Sequence, residues 1–340
     1  MTDGNTHAVK ALMDGDASPS TLRAALQLRG ADQEALFAAA RERRDAAYPA
    51  RQVEMRSVIE ISNICFQRCR YCAIGGKERK REYTIGLDEF VERAQMVYDR
   101  GRRVLLVQSG ENDEQHFVDH VATAVSELHR RLPDLVVVLC LGNMSREQYR
   151  QLRDAGATRY ILKFETSNER LYAEMKPRDT LARRLQCLSA LVELGFDVGS
   201  GNMVGLPGQT LDDMVQDLVL LGRFPLAMSS CTPFIPGEQS MLKDEPMGDV
   251  RLALNTMAIA RILHPGRLIP TTSSLEKAMD DGQYIGLMAG ANTVTIHDGT
   301  PAEQKELFPI YSSKRFAPGE EHIRRVVDRA GLTFAQGALR

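Results

Sequence analysis

Short β-branched or aliphatic segments alternate with longer amphipathic segments from residue 53 to residue 297, and this alternation limits the fold more than any other feature. The pattern predicts eight strands, at residues 53–61, 103–108, 135–141, 159–164, 197–202, 227–231, 267–269 and 293–296. Helices are predicted between most of them, at residues 87–100, 114–131, 146–155, 181–194, 211–221, 249–263 and 275–287. Eight strand–helix units in roughly 250 residues predict an α/β fold of the (β/α)8 TIM barrel type. The alternative is a doubly wound open sheet.

Capping residues support several of these helix limits. Gly101, Gly156 and Gly195 come just after three predicted helices, where a left-handed cap favours a residue without a Cβ atom. Thr210 directly precedes the helix predicted at residues 211–221 and is a suitable N-cap.

The 340-residue chain divides into three predicted parts: an N-terminal helical extension at residues 1–50, the barrel at 51–299, and a C-terminal extension at 300–340. The first part contains helices predicted at 24–28 and 32–44, with Asp32 as the N-cap of the second. The last part contains a helix predicted at 320–330, and we expect it to pack on the outside of the barrel.

The charge balance limits the classes of partner. Lys and Arg number 43 against 45 Asp and Glu, so a large basic field for nucleic acid is absent from the sequence. The longest apolar run, near residues 135–141, is far shorter than the ~18 residues of a membrane span. The polar N-terminus does not resemble a signal peptide, so we expect a cytoplasmic protein that binds neither nucleic acid nor membrane.

Three of the six cysteines lie close together as Cys65-Phe-Gln-Arg-Cys69-Arg-Tyr-Cys72, directly after the first predicted strand. In a reducing compartment such a cluster indicates metal binding or catalysis more than disulfide bonding. A closed zinc site usually takes four ligands, and no fourth Cys or His lies within twenty residues. Three ligands leave an open coordination position, which is typical of a catalytic centre; a zinc site completed by a distant residue is the alternative.

This CxxxCxxC motif, with Tyr71 before its last cysteine, resembles the motif of radical S-adenosylmethionine (SAM) enzymes. The resemblance implies that Cys65, Cys69 and Cys72 hold a [4Fe–4S] cluster whose fourth iron binds SAM. It implies reductive cleavage of SAM to methionine and a 5′-deoxyadenosyl radical, which acts on a small molecule inside the barrel. It also implies an external electron donor of the flavodoxin or ferredoxin type.

Further segments resemble the [FeFe]-hydrogenase maturase family of the HydE type, in the biotin- and thiamin-synthesis-associated branch. Gln108-Ser109-Gly110-Glu111 resembles the segment that contacts the methionine amino group, and Lys163-Phe-Glu165-Thr166 resembles the family's RHET segment. Arg184 stands where the family has an arginine for the methionine carboxylate. The run from Gly199 to Thr210, which includes Gly201 and Met203, is similar to the family's segment after its fifth strand.

The resemblance therefore implies a set of cofactor-binding residues: Tyr71, Gln108, Ser109, Gly110, Glu111, Lys163, Glu165, Arg184, Gly201 and Met203. Substrate contacts are predicted at Thr271, Thr272 and His297. All of these segments follow predicted strands, and active sites of TIM barrels lie at the C-terminal ends of the strands. We therefore expect Cys65, Glu111, Glu165, Gly201, Pro233 and Thr271 to surround one cavity.

The predicted substrate end differs from the HydE pattern. Thr295-Ile-His297-Asp298 replaces apolar and Asn-containing sequence, and Lys163 replaces the arginine of RHET. The segment Ala73-Ile-Gly-Gly-Lys77 lacks the expected Gly-Ile-Arg, and Tyr311-Ser-Ser-Lys314 keeps only part of a tyrosine-rich motif. These differences predict retained cofactor binding and allow a substrate different from that of the family.

Three functional hypotheses stay open at this point. The first is an enzyme of the hydrogenase-maturase type. The second is another enzyme of the branch, either a methylornithine-synthase-like mutase or a sulfur-inserting synthase of the biotin or lipoyl type. Sulfur insertion would need an auxiliary cluster, and Cys140 and Cys231 lie near predicted strand ends, whereas Cys187 is expected in the core. The third is a non-catalytic iron–sulfur scaffold.

Overall fold

The computed structural model describes residues 3–74, 81–308 and 319–339. Eight parallel strands form the barrel, in the order β6-β5-β4-β3-β2-β1-β8-β7. Their bounds are β1 Gln52–Ser62, β2 Val104–Ser109, β3 Val136–Cys140, β4 Arg159–Ile161, β5 Asp197–Val204, β6 Met228–Pro233, β7 Pro270–Thr271 and β8 Thr293–Ile296. Met228 of β6 pairs with Leu268, just before β7, and this contact closes the ring. The predicted TIM barrel is confirmed.

Helices surround the barrel. Three precede it: α1 Asp3–Met13, α2 Pro19–Leu26 and α3 Ala31–Ala47. The helices from β1 to β8 are α4 Leu87–Asp99, α5 Gln115–Arg131, α6 Arg146–Asp154, α7 Glu169–Met175, α8 Leu181–Glu193, α9 Leu211–Arg223, α10 Val250–Leu263, α11 Ser273–Ala278 and α12 Gly282–Met288. After the barrel come α13 Ala302–Lys305, α14 Glu320–Arg329 and the short strand β9 Thr333–Phe334, which pairs with the start of β1. The division of the chain at residues 50 and 299 stays a prediction.

Several local predictions hold and others need correction. Thr210 caps α9 in a capping box with Asp213, and Gly101, Gly156 and Gly195 all have positive φ. The N-cap of α3 is Gly30, so Asp32 lies in the first turn rather than at the cap.

Two further corrections concern the region near the seventh strand. The strand predicted at 267–269 is displaced to Pro270–Thr271. The single helix predicted at 275–287 is two helices, α11 and α12, because Asp281 takes a left-handed conformation and the chain turns there. The partial motif at Tyr311–Lys314 and the segment from Gly75 to Lys80 lie outside the described residues.

The alternation of side chains along each strand separates two apolar regions. Ile59 and Ile61 of β1 belong to the large cluster between the strands and the helices. Val58 belongs to a small cluster with Leu106, Val138, Met228 and Leu268, and residues from such separate strands meet only inside the barrel. Residues at even numbers on β1, including Glu54 and Glu60, therefore face the interior.

A buried charge cluster occupies the interior at the N-terminal end of the barrel. Glu54 is fully buried and pairs with Arg56 at 2.6 Å and with Arg159 at 2.9 Å. The backbone N–H of Leu339 also donates to Glu54, so the C-terminal segment covers this end. Burial raises the pKa of the Glu54 carboxyl, but the charges of Arg56 and Arg159 outweigh it, and the pKa lies below its usual value.

No helix in residues 3–74, 81–308 and 319–339 is long and apolar enough to cross a membrane.

We expect Glu54→Gln to lower the free energy of unfolding by about 3 kcal/mol, because it leaves two buried arginines without their counter-charge. Urea unfolding at pH 7 measures this. The matched control is Glu193→Gln, whose exposed pair with Arg146 contributes about 1 kcal/mol or less.

The same pair of variants has an expected pH dependence. Because the pKa of Glu54 is lowered on folding, its stabilising effect is present above the pKa of the unfolded chain and disappears as the pH falls through the folded pKa. The difference in the free energy of unfolding between wild type and Glu54→Gln should therefore decrease below about pH 4. Equal losses of unfolding free energy for Glu54→Gln and Glu193→Gln would contradict a stabilising role of the buried Glu54 ion pairs.

Candidate active site

The cysteine loop, residues 63–74, follows β1 at the C-terminal end of the barrel. Cys65, Cys69 and Cys72 form no disulfide bond among the described residues, and each is partly exposed. The backbone N–H of Glu111, just after β2, donates to the Cys65 sulfur at 3.3 Å, and Phe66 N–H donates to the Glu111 carbonyl at 2.9 Å. The loop is thus joined directly to the end of the neighbouring strand.

Two glycines make this close approach feasible. A Cβ atom on Gly110 would lie 2.2 Å from the carbonyl oxygen of Ile64 and 2.7 Å from the Cβ of Cys65. A Cβ atom on Gly142, whose φ is +89°, would lie 1.9 Å from the Cγ of Glu111. Both positions therefore require glycine, because backbone or a confined side chain fills the space that a methyl group would take.

Glu111 lies in a buried network of charges behind the cysteine loop. Its carboxylate is 3.0 Å from Arg184 Nη2 and 3.2 Å from Lys176 Nζ. The Arg184 guanidinium also pairs with Asp179 at 3.1 Å and donates to the Tyr172 hydroxyl at 3.0 Å. The network joins the end of β2 to α7, α8 and the turn between those helices.

The network sets the ionisation of the groups near the cysteines. Burial alone would raise the pKa of Glu111, but the charges of Arg184 and Lys176 lower it to about 2. Burial raises the pKa of Cys69 to about 11, and the nearby charge of Lys176 opposes that rise. Burial raises the pKa of Cys65 as well, so binding of a metal at these two thiols must displace their protons.

Lys163 and Glu165 form a second charged pair at the end of β4. Lys163 Nζ is 3.1 Å from Glu165 Oε2 and donates to the Thr232 hydroxyl at 3.0 Å. Glu165 has φ of +63°, a conformation that costs a non-glycine residue about 1–3 kcal/mol and is typical of functional sites. Backbone hydrogen bonds with Gly201 and Met203 hold it there.

Gly201 is predicted to contact the cofactor, and that role stays a prediction. A Cβ atom there would lie 1.8 Å from the carbonyl oxygen of Ser230, so the close approach is between the backbones of β5 and β6. Met203 packs in a small apolar cluster beside the cysteine loop, and Tyr71 packs against that cluster. Its buried members are Leu171, Met175, Met203, Leu206, Phe234 and Leu242.

Polar side chains face the interior of the barrel above the apolar layer, and we call them the lumen ring: Glu60, Gln108, Cys140, Lys163, Thr232 and His297. Gln108 pairs in register with Glu60 on one side and Cys140 on the other. His297 Nδ1 lies 3.0 Å from Glu60 Oε1, and both side chains are buried. The ring lies at the same end of the barrel as the cysteine loop.

The two predicted threonines face in different directions. Thr271 is fully buried, and its hydroxyl donates to the Gln283 carbonyl of α12 at 2.9 Å. It packs on the helix side, next to Gly286, and does not line the barrel interior. Thr272 follows on the other face, where its hydroxyl is 2.5 Å from that of Ser274. Ser109 is half-buried and donates to the carbonyl of Gly110 at 2.6 Å.

The remaining cysteines are separated. Cys187 is buried on α8 with its sulfur 3.7 Å from the Met144 carbonyl, as expected of a core residue. Cys231 belongs to the cluster between strands and helices, so it points away from the interior. Cys140 lies in the lumen ring, and burial raises its pKa to about 11. The three are therefore not arranged to share an auxiliary cluster.

The cysteine loop fits an iron–sulfur cluster better than a single metal ion. In the described part of the chain, no group of three or more His, Cys, Asp or Glu side chains is placed to hold one metal ion. A zinc site needs its ligands within about 2.3 Å of one atom, whereas each thiolate of a four-iron cluster binds a different iron. Three cysteine side chains on one loop, next to a buried cationic network, provide a suitable donor set.

A TIM barrel with three cysteines after β1, a glycine-bearing acidic segment after β2 and a polar interior defines a class of enzymes. Residues 59–221 match the sequence model of the radical SAM superfamily. The [FeFe] hydrogenase maturase subunit HydE of Thermotoga maritima is 38% identical over 283 residues, 83% of this chain and 80% of that protein. The chain therefore belongs to the radical SAM superfamily, as the cysteine motif predicted.

Other relatives agree with this assignment. A biotin synthase of Chlorobium phaeobacteroides is 26% identical over 68% of this chain and 70% of that protein. The crystal structure of methylornithine synthase has a TM-score of 0.82 at 23% identity, covering 96% of this chain and 97% of that chain. Members of the superfamily are enzymes that use a [4Fe–4S] cluster and SAM, so both expectations are confirmed at the level of the family.

Several residues of the site are not predicted by the sequence pattern. Lys176, Asp179 and Tyr172 support Arg184 and Glu111, but they lie on or after α7, a short helix that the pattern did not predict. Glu60 was missed because it lies within an apolar strand. Its inward position, two residues after Val58, was the signal that could have found it.

Asp217 of α9 was missed too, and it anchors the loops after β4 and β5. It accepts hydrogen bonds from Ser167 N–H, the Ser167 hydroxyl, Asn202 and Gln209, at 2.6 to 3.1 Å. Burial raises its pKa to about 6. Since Asn202 pairs with Glu165, Asp217 supports the strained conformation of Glu165.

We expect Gly110→Ala to destabilise the protein by about 1–3 kcal/mol, because the new methyl group overlaps the cysteine loop. Thermal unfolding of the metal-free protein measures the loss. Gly266→Ala is the matched control, since nothing lies within 4 Å of a Cβ atom there. Equal stability of the two variants would contradict the close packing of loop and strand.

We expect Asp217→Asn to lower the free energy of unfolding by about 2–3 kcal/mol, because its amide places hydrogens against groups that are themselves donors. Asp212→Asn, on the exposed side of the same helix, should change stability little. Urea unfolding of both variants tests this. If Asp217→Asn loses no more unfolding free energy than Asp212→Asn, the hydrogen bonds that Asp217 accepts do not stabilise the protein.

Proposed function

We propose that this protein cleaves SAM reductively at a [4Fe–4S] cluster held by Cys65, Cys69 and Cys72, and acts on a small molecule in the barrel lumen. The observation that carries the proposal is the contact between the cysteine loop and Glu111, which brings the loop with its three cysteines to a buried charged network at the C-terminal end of the barrel. When bound, the cluster and SAM supply a 5′-deoxyadenosyl radical.

The residues of this chain bind and orient SAM and shield it from water. Glu111 and Arg184 face each other at 3.0 Å and are complementary to the ammonium and carboxylate groups of an amino acid. We assign Glu111 to the methionine amino group of SAM and Arg184 to its carboxylate. Lys176 and Asp179 hold this pair in position, and Tyr71, Met203 and their apolar cluster exclude water on one side.

The lumen ring is the proposed substrate site. Glu60, Lys163 and His297 place both charges and a titratable imidazole inside the barrel, which suits a polar small molecule more than an apolar one. Lys163, a member of the ring, pairs with Glu165 at 3.1 Å, and we assign this pair to the side of the ring that faces the cofactor. Thr272 and Gln108 are the other residues that we propose to contact the molecules bound in the lumen.

The proposed reaction is of the HydE type, on a thiol-bearing or organometallic small molecule. The identity of 38% over 83% of the chain supports this choice over the other enzymes of the branch. The placement of Cys231 outside the lumen disfavours a sulfur-inserting synthase, because such an enzyme would need a second set of cluster ligands inside the barrel.

Anaerobic reconstitution tests the proposal. We expect about four irons per chain, and production of 5′-deoxyadenosine when dithionite and SAM are added. Cys69→Ala should lose both the cluster absorbance and the product, since it removes a ligand. Cys231→Ala is the matched control and should keep both, because its thiol is buried away from the lumen.

Two other results of the reconstitution would count against the proposal. About six to eight irons per chain would favour an auxiliary cluster and the sulfur-inserting alternative. A complete cluster that yields no 5′-deoxyadenosine under any reducing condition, including with candidate substrates present, would overturn the proposal in favour of an iron–sulfur scaffold.

A further inference from the structure

Arginines are concentrated on the outer surface of the cysteine loop and the adjoining helices. Arg68 and Arg70 belong to the loop itself, Arg170 to α7, Arg178 to the turn after α7, and Arg183 to α8. Arg68, Arg170, Arg178 and Arg183 are exposed, and Arg70 is partly so. This concentration is notable on a chain whose formal net charge is −2.

Contacts join these arginines into one face. Arg70 pairs with Glu174 at 3.0 Å, and Arg183 pairs with Asp113 at 3.5 Å. Arg178 donates to the Phe66 carbonyl at 2.8 Å. Among the described residues, the ion pairs of these arginines are with Asp113 and Glu174, so the five arginines outnumber the carboxylates that they contact.

An exposed aromatic ring lies on this face, beside Arg178. Phe66 follows Cys65 directly and is 39% exposed, which is unusual for a large apolar side chain in this protein. It borders a cavity of about 200 Å³ that Glu111, Asn143, Arg178 and Arg183 also line. An apolar centre with a charged rim is the usual composition of a protein–protein contact.

We propose that this arginine face is the docking site of a small acidic protein that carries one electron at a time. The inference rests on the proposed function, because the partner must deliver its electron to the cluster. In the step, the reduced partner loses one electron and the cluster gains it; the electron then serves to break a C–S bond of SAM. Arg68 and Arg70 lie between the same three cysteines that would hold the cluster, so a protein docked on this face would be next to it.

The expected contact is weak and governed by charge. Electron-transfer complexes are small, and complementary charges mainly raise the association rate. Exposed charges are screened by salt, so the interaction should weaken as ionic strength rises. A partner of this kind therefore has a Michaelis constant that depends on salt, whereas dithionite, which needs no docking face, does not.

The experiment compares two reductants on the reconstituted protein. Reduced flavodoxin is the acidic probe protein, and dithionite is the reductant that bypasses docking. The variant Arg68→Glu, alone and with Arg183→Glu, reverses charge on the face without altering a cysteine or a residue assigned to the lumen. Arg223→Glu, at the last turn of α9 and the other end of the barrel, is the matched control.

We expect the double variant to raise the KM for flavodoxin at least tenfold at low salt, with 5′-deoxyadenosine formation from dithionite unchanged. Surface plasmon resonance should show a parallel loss of flavodoxin binding, and Arg223→Glu should behave as wild type. In the wild-type protein, KM for flavodoxin should increase with salt, a test that needs no variant.

A KM for flavodoxin that is independent of salt and equal in the double variant and Arg223→Glu would overturn the docking proposal. Loss of the dithionite reaction in wild type would instead overturn the proposed function, so the two failures are distinguishable. Should the double variant also lose the dithionite reaction, the single Arg68→Glu variant and the salt series decide the question.

Discussion

The pairing of Glu111 with Arg184 and Lys176 is the interaction on which the rest of the site depends. It fixes the end of β2 against α7, α8 and the turn between them, and the backbone of Glu111 in turn holds Cys65 and Phe66. Buried charges of this kind are costly unless each one is paired, so removal of any member leaves the others uncompensated. The position of the cysteine loop therefore depends on these buried ion pairs and not on the residues of the loop alone.

The barrel gives its two ends different properties. At the N-terminal end, Glu54 and Arg159 close the interior with buried charge pairs and the C-terminal segment covers them. At the C-terminal end, the lumen ring and the cysteine loop leave polar side chains facing a common space. Between the two ends lies the apolar layer around Val58. We therefore propose that a small molecule enters from the end where the cysteines are.

Much of this fold could be predicted from the sequence, because period-2 and period-3.6 patterns depend on local residues. The strand before α4 and the cap at Thr210 are of this kind. What could not be predicted depends on distant contacts. Thr271 and Thr272 are adjacent in sequence, yet the pleat of a two-residue strand places Thr271 against Gln283 and only Thr272 on the other face. Lys176 pairs with Glu111 across 65 positions, which no local pattern reveals.

The central claim is that this cysteine loop places a four-iron cluster where SAM can bind it directly. Electron–nuclear double resonance on the reduced, reconstituted protein tests it, using SAM labelled with ¹⁵N in its amino group and ¹⁷O in its carboxylate. The account predicts hyperfine coupling from both labels, because both groups bind one iron of the cluster. A reduced-cluster spectrum unchanged by SAM, with no coupling from either label, would contradict it.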